Sequence, residues 1–253
     1  VFAMRIQGLT QTQGQVTLAF EDGTQATHEV LIGADGIHSR VRAALFGDEY
    51  PRFTGVVSYR AVVPTERVKS VPEIEAFTKW WGPNPQSQIV TFPLNLGRDT
   101  FIFATTGQDS WHEESWTSEG DVHELRGHYQ TFHPHARALL DACDHVLKSA
   151  LYERDPLPTW TVGQVSLLGD ACHPMLPFMA QGAGMAIEDG VVLARCLEAH
   201  TQDVHAALLR YEHTRHERTA KIQIGSRGNQ WMKTQGNADW VYGYNAWKTP
   251  LAA

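Results

Sequence analysis

Features that define several protein classes are missing from this sequence. Its 253 residues include only three cysteines, Cys143, Cys172 and Cys196, and none belongs to a CxxC pair. This usage is typical of reduced thiols rather than of a disulfide scaffold. The opening residues show no basic segment followed by an apolar one, so no signal peptide is indicated. We therefore expect a cytoplasmic localisation.

The chain also lacks long apolar runs and an excess of positive charge. No run approaches the roughly 18–20 apolar residues of a membrane helix, so we expect no membrane span. The formal net charge of −7 disfavours nucleic acid as the main partner. A hydrophobic content of 42% with eight tryptophans is enough for a packed core, which predicts a folded protein of one or two domains.

Signatures of hydrolases and metal enzymes are missing too. Neither GxSxG nor HExxH occurs, so neither a nucleophilic serine nor a zinc-binding helix is indicated. The thirteen histidines include short clusters, but their spacing supplies no third ligand. These clusters are His133/His135, His213/His216 and Cys172/His173. We expect no metal site.

Hydrophobic patterning predicts an α/β chain that begins one domain, inserts an α+β domain and then completes the first. The predicted domains are the first part of one domain at residues 1–50, an inserted sheet domain at 51–160, and the continuation of the first domain at 161–253. In the first part we expect strands at Phe2–Gln7, Gln15–Phe20, Gln25–His28 and Val30–Ala34, then a helix at Ser39–Phe46.

The middle of the chain has the pattern of a mostly antiparallel sheet with helices on one side. Strands are predicted at Val56–Val63, Glu75–Trp81, Gln88–Pro93 and Thr100–Thr106, and helices at Asp121–Phe132 and Pro134–Cys143. After a buried strand at Val165, we expect helices at Gln181–Ala199 and from Val204 to about Trp231, and an aromatic tail at Asp239–Lys248. On the second of these helices, Arg215, Arg218 and Lys221 are expected to form a solvated face.

The segment Val165–Asp189 carries the most specific chemistry. Gly169 and Asp170 end a buried strand, where a carboxylate is costly unless something donates hydrogen bonds to it. The hydroxyls of a ribose or a sugar alcohol would satisfy it. The alternative is that Asp170 only caps the turn that follows.

A turn at Gln181–Met185 opens the next helix. Its glycines, Gly182 and Gly184, allow a planar ring to approach the backbone, and the positive end of the helix would stabilise negative charge on that ring. Pro177 stiffens the preceding loop, and we expect its carbonyl to be free to accept a hydrogen bond. The alternative is an ordinary helix start that contains glycine.

The segment Asp35–Arg42 is a second strand-to-helix turn with an acid at its apex. Asp35 can orient the loop, and Arg42 can reach a phosphate or an internal acid. The alternative is a plain capped helix, with Arg40 as a solvated surface charge.

Together, Gly33–Arg42 and Leu168–Asp189 resemble the flavin-dependent aromatic monooxygenases of the para-hydroxybenzoate hydroxylase type. The stretches Tyr59–Pro64, Lys79–Gly82 and Asp239–Tyr244 are similar to the salicylate hydroxylase and 6-hydroxynicotinate 3-monooxygenase branch, and the likeness covers nearly the whole chain. The resemblance implies an enzyme that hydroxylates an aromatic or heteroaromatic acid with FAD, NAD(P)H and O₂. It also implies that residues 1–50 and 161–253 form an incomplete FAD-binding, Rossmann-like domain, and that residues 51–160 form a substrate-binding sheet domain.

The resemblance also implies roles for individual residues. Asp170 would bind the FAD ribitol, and Gly182–Met185 would line the isoalloxazine. Asp35 would belong to the motif that serves both FAD and the reduced nicotinamide cofactor. Tyr59 would orient or deprotonate a phenol, or would simply pack, and the Trp80–Trp81 pair is either core packing or a substrate platform. Phe178 stands where the 6-hydroxynicotinate enzymes resemble one another in having His, which leaves a less polar aromatic acid open. The predicted catalytic residues are Tyr59 and Pro177, the predicted cofactor-binding residues are Asp35, Arg42, Gly169, Asp170, Pro177, Gln181, Gly182, Ala183, Gly184 and Met185, and the predicted substrate contacts are Tyr59, Trp81 and Phe178.

One family element is not found in the sequence. The family begins with a strand, a GxGxxG turn and a helix that bind the ADP half of FAD, and this chain has no GxGxxG. We expect a C-terminal portion of a longer enzyme that binds FAD poorly by itself. The alternative is a truncated, non-catalytic fragment or interaction partner. A small aromatic acid is the expected partner, and a homodimer is left open.

Overall fold

The structure is a computed structural model that describes residues 4–12, 14–111, 117–228 and 238–253. The chain divides into two compact units. The first unit combines Val1–Arg52 with Glu153–Ala253, and the second is the continuous stretch Phe53–Tyr152. Within the described parts of the chain, none of the helices has the length and apolar character that a membrane span requires.

The first unit begins with a three-stranded antiparallel sheet followed by a short strand and a helix. Its elements are β1 (Ile6–Thr12), β2 (Gln15–Phe20), β3 (Gln25–His28), β4 (Leu31–Gly33) and α1 (Arg40–Phe46). The predicted bounds Phe2–Gln7 are wrong for β1, because a register shift between Ile6 and Gly8 displaces the alternating pattern. Phe2 and Ala3 themselves lie outside the described residues.

The second unit is a six-stranded sheet with two helices. Its elements are β5 (Arg52–Pro64), β6 (Thr78–Trp81), β7 (Gln88–Leu94), β8 (Asp99–Gly107), β9 (Glu119–Gly120), α2 (Val122–His128), α3 (Pro134–Asp141) and β10 (Val146–Glu153), in the sheet order β6-β7-β8-β5-β10-β9. The pairs β5/β8, β6/β7, β7/β8 and β9/β10 are antiparallel, which confirms the predicted sheet type.

The core of the second unit joins the sheet to its helices. Val57, Ile89 and Ile102 from the strands cluster with Leu125 and Leu139 from α2 and α3, all at most 1% exposed. Burying these aliphatic side chains contributes about 1.5–3 kcal/mol each. The pattern missed β10, because Lys148 interrupts its apolar residues.

The chain then returns to the first unit. The remaining elements are β11 (Thr161–Val162), β12 (Val165–Leu167), α4 (Gly182–Ala199), α5 (Val204–Gly225) and α6 (Asp239–Tyr242). Helix α5 ends at Gly225 rather than near Trp231, and the segment 229–237 lies outside the described residues.

Strand β12 pairs in parallel with β4 and so joins the two sequence segments that form the first unit. Val165 lies opposite Leu31, and Leu167 lies opposite Gly33. A methyl group on Gly33 would lie 2.8 Å from both Leu167 and Val41, so only glycine allows this close approach of strand and helix. Because carboxyl ends of parallel strands meet at one edge of a sheet, the segments after β4 and β12 emerge side by side.

Candidate functional site

Asp35 follows β4 and organises the start of α1. Its Oδ1 accepts the hydroxyl of Ser39 at 2.5 Å, and its Oδ2 accepts the backbone N–H groups of Arg40 at 2.7 Å and Val41 at 3.2 Å. Ser39 in turn accepts the N–H of Arg42 at 2.8 Å. Oδ2 thus satisfies two N–H donors of the helix start that have no partner within the helix, and Oδ1 fixes the hydroxyl of the capping Ser39. Asp35 therefore orients the loop.

Arg42 is buried, and the carboxylate of Glu49 lies beside its guanidinium. Its guanidinium donates to Glu49 at 2.6 Å and to the carbonyl of Cys172 at 3.5 Å. Arg154, also buried, lies 3.4 Å from the same Glu49 carboxylate and donates to the carbonyl of Ile37 at 3.1 Å. Arg42 therefore links α1 to the segment that follows β12. Arg40 is largely exposed, 3.6 Å from Glu21.

The turn Gly169–Ala171 follows β12 and carries Asp170. Gly169 is buried with φ +62°, the left-handed region that favours glycine. Among the described residues, none donates a hydrogen bond to the Asp170 carboxylate, so the capping alternative does not describe it. Its side chain is solvent-exposed, yet surrounding protein atoms partly desolvate it and raise its pKa, against an opposing effect of His173. Such a carboxylate is open to hydroxyl donors from a ligand.

Helix α4 begins next to this carboxylate. A methyl group on Gly182 would lie 4.0 Å from Oδ1 of Asp170 and 3.8 Å from Cγ of Met175. Gln181, the N-terminal cap, makes no side-chain capping hydrogen bond within the described structure. The N–H groups of the first turn, which have no carbonyl partner within the helix, therefore lie close to Asp170.

The residues of the first turn of α4 differ in their environments. Ala183 is exposed and Gly184 is partly exposed, whereas Gln181 is buried. The Met185 side chain is also buried, and its sulfur lies 3.5 Å from Arg215. The small residues of this turn, Gly182, Ala183 and Gly184, are therefore the ones that solvent reaches.

The loop before α4 closes in a short hydrogen-bonded turn. Pro177 and Phe178 belong to a short turn, Pro177–Met179, and the Pro177 carbonyl accepts the N–H of Ala180 at 3.0 Å. The expectation that this carbonyl is free is therefore wrong, because the turn closes on itself. Ala180 has φ +52°, a left-handed conformation that costs a non-glycine residue about 1–2 kcal/mol.

Asp189 of α4 holds the turn that carries Asp170 by accepting a hydrogen bond from Gly169. The sequence patterns did not single out Asp189. Its carboxylate is fully buried and accepts hydrogen bonds from Gly169 N at 3.1 Å and Arg215 Nε at 2.7 Å, while the His173 ring lies at 2.5 Å. Burial alone would raise the pKa of Asp189, but His173 and Arg215 outweigh burial, so the pKa lies below its ordinary value.

The expectation of a solvated face on α5 is wrong for two of its three residues. Arg215 is fully buried, with its NH1 2.8 Å from Glu188, and Arg218 donates to both oxygens of Glu188 at 2.9 Å. A buried acid in α4 requires a buried cation opposite it, and α5 supplies that cation. Lys221 is exposed, with its ammonium 4.7 Å from the ring of Trp240.

The predicted catalytic Tyr59 lies in the second unit and is 1% exposed in the core cluster. Burial and the nearby carboxylate of Glu124 raise its pKa well above the ordinary tyrosine value. The ring of His128 lies 6.4 Å away. The packing alternative therefore describes its environment, and a neutral, buried phenol is poorly suited to remove a proton from a substrate.

The two tryptophans of the Trp80–Trp81 pair differ in their environments. Trp80 is partly buried and stacks on His133 with ring centroids 6.0 Å apart. Trp81 is 42% exposed, and the ammonium of Lys79 lies 4.3 Å from its ring. Burial lowers the pKa of Lys79 to about 8.

The histidine clusters have structural partners. His133 caps α3 by accepting the N–H of His135, and the ring of His216 lies 2.8 Å from the carbonyl of Leu157. Cys172 and His173 have a third neighbour that sequence spacing did not reveal, because ligand atoms of both and of Asp189 lie within 4.8 Å of one another. The Asp189 carboxylate is engaged by Arg215, and burial raises the pKa of the Cys172 thiol well above its ordinary value. Neither condition suits a metal ligand.

Comparison with known proteins identifies the family. The profile of the FAD binding domain family matches residues 1–224, which is most of the chain. The chain belongs to the FAD-binding domain family. This agrees with a carboxylate and a helix start that lie close together after two parallel strands.

Curated relatives of this FAD-binding family chain are aromatic-ring hydroxylases by name. It is 41% identical over 241 residues to 6-hydroxynicotinate 3-monooxygenase of Pseudomonas fluorescens, covering 93% of this chain and 62% of the relative. The enzyme of the same name from Bordetella bronchiseptica is 40% identical over 254 residues, covering 99% and 65%. The chain thus spans less than two thirds of either relative. The 3-hydroxybenzoate 6-hydroxylase 2 of Aquipseudomonas alcaligenes is 37% identical over 223 residues, covering 88% and 68%.

Solved structures show the same fold. A salicylate hydroxylase substrate complex superposes with a TM-score of 0.82 at 26% identity, covering 96% of this chain and 68% of that one. Klebsiella pneumoniae HpxO, complexed with FAD and uric acid, superposes with a TM-score of 0.78 at 25% identity, covering 95% and 60%. The α/β class with an antiparallel sheet and helices is therefore confirmed.

Proposed function

We propose that this chain provides the flavin-binding and substrate-binding parts of a monooxygenase that hydroxylates an aromatic or heteroaromatic acid with NAD(P)H and O₂. One observation carries the proposal. The Asp170 carboxylate, which receives no hydrogen bond from the described protein, lies beside the bare backbone of Gly182 at the start of α4. A polyol attached to a flat, electron-accepting ring complements both groups.

The residues of this chain bind and orient the cofactor. Asp170 would accept hydrogen bonds from ribitol hydroxyls, and the first-turn N–H groups of α4 would face the ring edge, where the helix dipole stabilises negative charge. Bound FAD supplies electron transfer from the nicotinamide to O₂ and delivery of one oxygen atom to the aromatic ring. The protein contributes position, charge stabilisation and exclusion of water.

The proposed roles follow from the observed contacts. Asp35 and Arg42 act as positioning residues, because their side chains hold α1 and the segment after β12. Pro177 stays in the proposed site, since a carbonyl has a second lone pair, whereas we leave out Tyr59 because its hydroxyl is buried. The proposed cofactor contacts are Gly169, Asp170, Gln181, Gly182, Ala183, Gly184 and Met185.

We propose a hydroxylated aromatic or heteroaromatic carboxylic acid as the substrate class. The names of the relatives support this class, since they act on 6-hydroxynicotinate and 3-hydroxybenzoate. Phe178 stays a proposed contact of this substrate, because a partly exposed aromatic side chain can stack on its ring. The role of Trp81 stays a prediction.

The test measures FAD binding and turnover on the same chain. Flavin fluorescence titration gives the Kd, and consumption of NADH or NADPH is followed with 6-hydroxynicotinate, 3-hydroxybenzoate and salicylate, with the hydroxylated product identified by mass spectrometry. Asp170→Asn removes the charge that accepts the polyol hydroxyls and is expected to raise the Kd about 10-fold or more, since hydrogen bonds to a charged group contribute about 1.5–3 kcal/mol. The matched control is Asp48→Asn, which changes an exposed aspartate of the same unit.

Two results would contradict the proposal. Equal FAD affinity of Asp170→Asn and Asp48→Asn would remove Asp170 from the site. A chain that binds FAD, but consumes no NADH or NADPH and forms no product with any of these aromatic acids, would be a binding fragment and not an enzyme.

We also propose a cytoplasmic protein that does not bind nucleic acid. Three free, buried thiols and the net charge of −7 support this. Whether the chain forms a homodimer stays a prediction for light scattering.

A further inference from the structure

The C-terminal helix α6 packs against the segment that leads into α4. Val241 is 1% exposed and lies in an apolar cluster with Met179, Met185 and Ile222. Met179 belongs to the turn before α4, Met185 to the first turn of α4, and Ile222 to α5. The cluster therefore joins the end of the chain to both sides of the point where α4 begins.

Tyr242 makes a polar contact at the same place. Its hydroxyl donates to the carbonyl of Met179 at 3.2 Å. This carbonyl belongs to the peptide group between Met179 and Ala180, the residue with φ +52°. A left-handed alanine persists only where its surroundings hold it, and the Tyr242 hydroxyl is one of the groups that do so.

The position of α6 is itself fixed by arginine side chains on backbone carbonyls. Arg218 of α5 donates to Trp240 at 2.7 Å and to Val241 at 2.9 Å. Further along the tail, Arg195 donates to Ala246 at 2.6 Å, and Arg210 donates to Ala252 at 2.6 Å. These hydrogen bonds hold the tail against α4 and α5. Val241 and Tyr242 therefore have fixed positions beside the turn Pro177–Met179.

We propose that Tyr242 and Val241 are positioning residues for the flavin site. They hold the Met179–Ala180 peptide so that α4 starts beside Asp170 with its N–H groups directed outward. The inference rests on the proposed function, because it takes the start of α4 as the place where the flavin ring binds. The Tyr242 hydroxyl acts through the turn, by its hydrogen bond to Met179, and Val241 acts through its packing with Met179 and Met185.

The experiment removes the hydroxyl and measures the turn directly. In Tyr242→Phe, hydrogen exchange of the Ala180 and Met185 amides, followed by mass spectrometry of peptides covering 176–186, is expected to become about 2- to 10-fold faster, the range for one lost hydrogen bond. The Kd for FAD should rise by a similar factor. Val241→Ala should give a larger increase in exchange, and Tyr50→Phe, a hydroxyl loss at an 85% exposed tyrosine, should change neither quantity.

The outcomes separate the inference from the proposed function. Unchanged exchange at 176–186 in both tail variants would overturn the inference, as would faster exchange with an unaltered Kd for FAD. Uniformly faster exchange across the first unit would indicate a general structural role and would overturn it too. If the wild-type chain binds no FAD, the proposed function fails, whereas the exchange data still decide whether Tyr242 fixes the turn.

Discussion

The Oδ2 atom of Asp189 accepts the backbone N–H of Gly169 at 3.1 Å. A buried carboxylate in α4 is thereby joined to the turn that presents Asp170, and its other oxygen is joined to Arg215 of α5 at 2.7 Å. The strand, the turn and two helices meet at one charged group, so the position of Asp170 depends on it.

Replacing Asp189 tests this dependence. Asp189→Asn removes one of the two carboxylates that face the buried Arg215, whose NH1 still lies 2.8 Å from Glu188. We expect the free energy of unfolding to fall by about 1.5–3 kcal/mol at pH 7, the range for a lost hydrogen bond to a charged group. Urea denaturation of the variant and the wild-type chain gives this difference. A decrease in the free energy of unfolding of less than about 1 kcal/mol would contradict the role of Asp189 as a partner of Arg215.

The same pair sets an expectation at low pH. The pKa of Asp189 is depressed in the folded state, so its contribution to stability is complete above the unfolded carboxyl pKa of about 3.9 and is lost as the pH falls below that value. The stability difference between wild type and Asp189→Asn should therefore shrink on acidification. A difference that stays constant from pH 7 to pH 3 would argue against a charge effect.

Gly182→Ala should separate binding from stability. The added methyl meets only ordinary contacts, at 3.8 and 4.0 Å, so the melting temperature should stay the same or rise slightly, because alanine is the better helix former. FAD affinity should fall, since the methyl projects towards the Asp170 carboxylate. The matched change Gly169→Ala should instead lower the melting temperature, because its φ is +62° and its methyl would lie 3.1 Å from Ala186. Equal FAD affinity of Gly182→Ala and wild type would place the ring elsewhere.

FAD affinity should depend on pH through Asp170. Only the ionised carboxylate accepts hydrogen bonds with both oxygens, and desolvation raises its pKa above the ordinary value. Binding should therefore weaken on acidification, beginning at a higher pH than an ordinary aspartate would give. Titrations between pH 4 and 8 measure this slope, which Asp170→Asn should abolish.

Lys79 should titrate near neutrality. Burial partly withdraws the ammonium of Lys79 from water and lowers its pKa to about 8. Below this pH the charged side chain therefore destabilises the folded state relative to the unfolded state. The stability contribution of Lys79 should rise between pH 8 and the ordinary lysine value. Competitive amine labelling at pH 8 should modify Lys79 faster than the exposed Lys69, and equal rates would refute the shifted pKa.

Local patterns predicted much of the fold. Strands β2 and β3 have the predicted bounds, because alternation and a Gly-containing turn define them. The two segments at Asp35 and Asp170 were found because each combines a buried strand, an acid and a helix start within a few residues.

Contacts between distant elements were not predictable in the same way. Asp189 lies on the buried stripe of α4 with Met185 and Val192, which signals an acid that needs a buried cation, but the partner on α5 depends on how the helices pack. A spacing of polar residues on α5 indicated solvent for Arg215, and its burial follows from tertiary contact alone. The hydrogen bond from Tyr242 to Met179 leaves no local signal either.

The parallel pairing of β4 with β12 has a consequence for biosynthesis. Residues 31–33 leave the ribosome well before residues 165–167, with all of Phe53–Tyr152 between them. The second unit is continuous in sequence and can fold during translation. The first unit cannot complete its parallel strand pair until β12 has been synthesised. Synonymous changes that slow translation after residue 152 should therefore prolong the interval in which the emerging polypeptide needs chaperones.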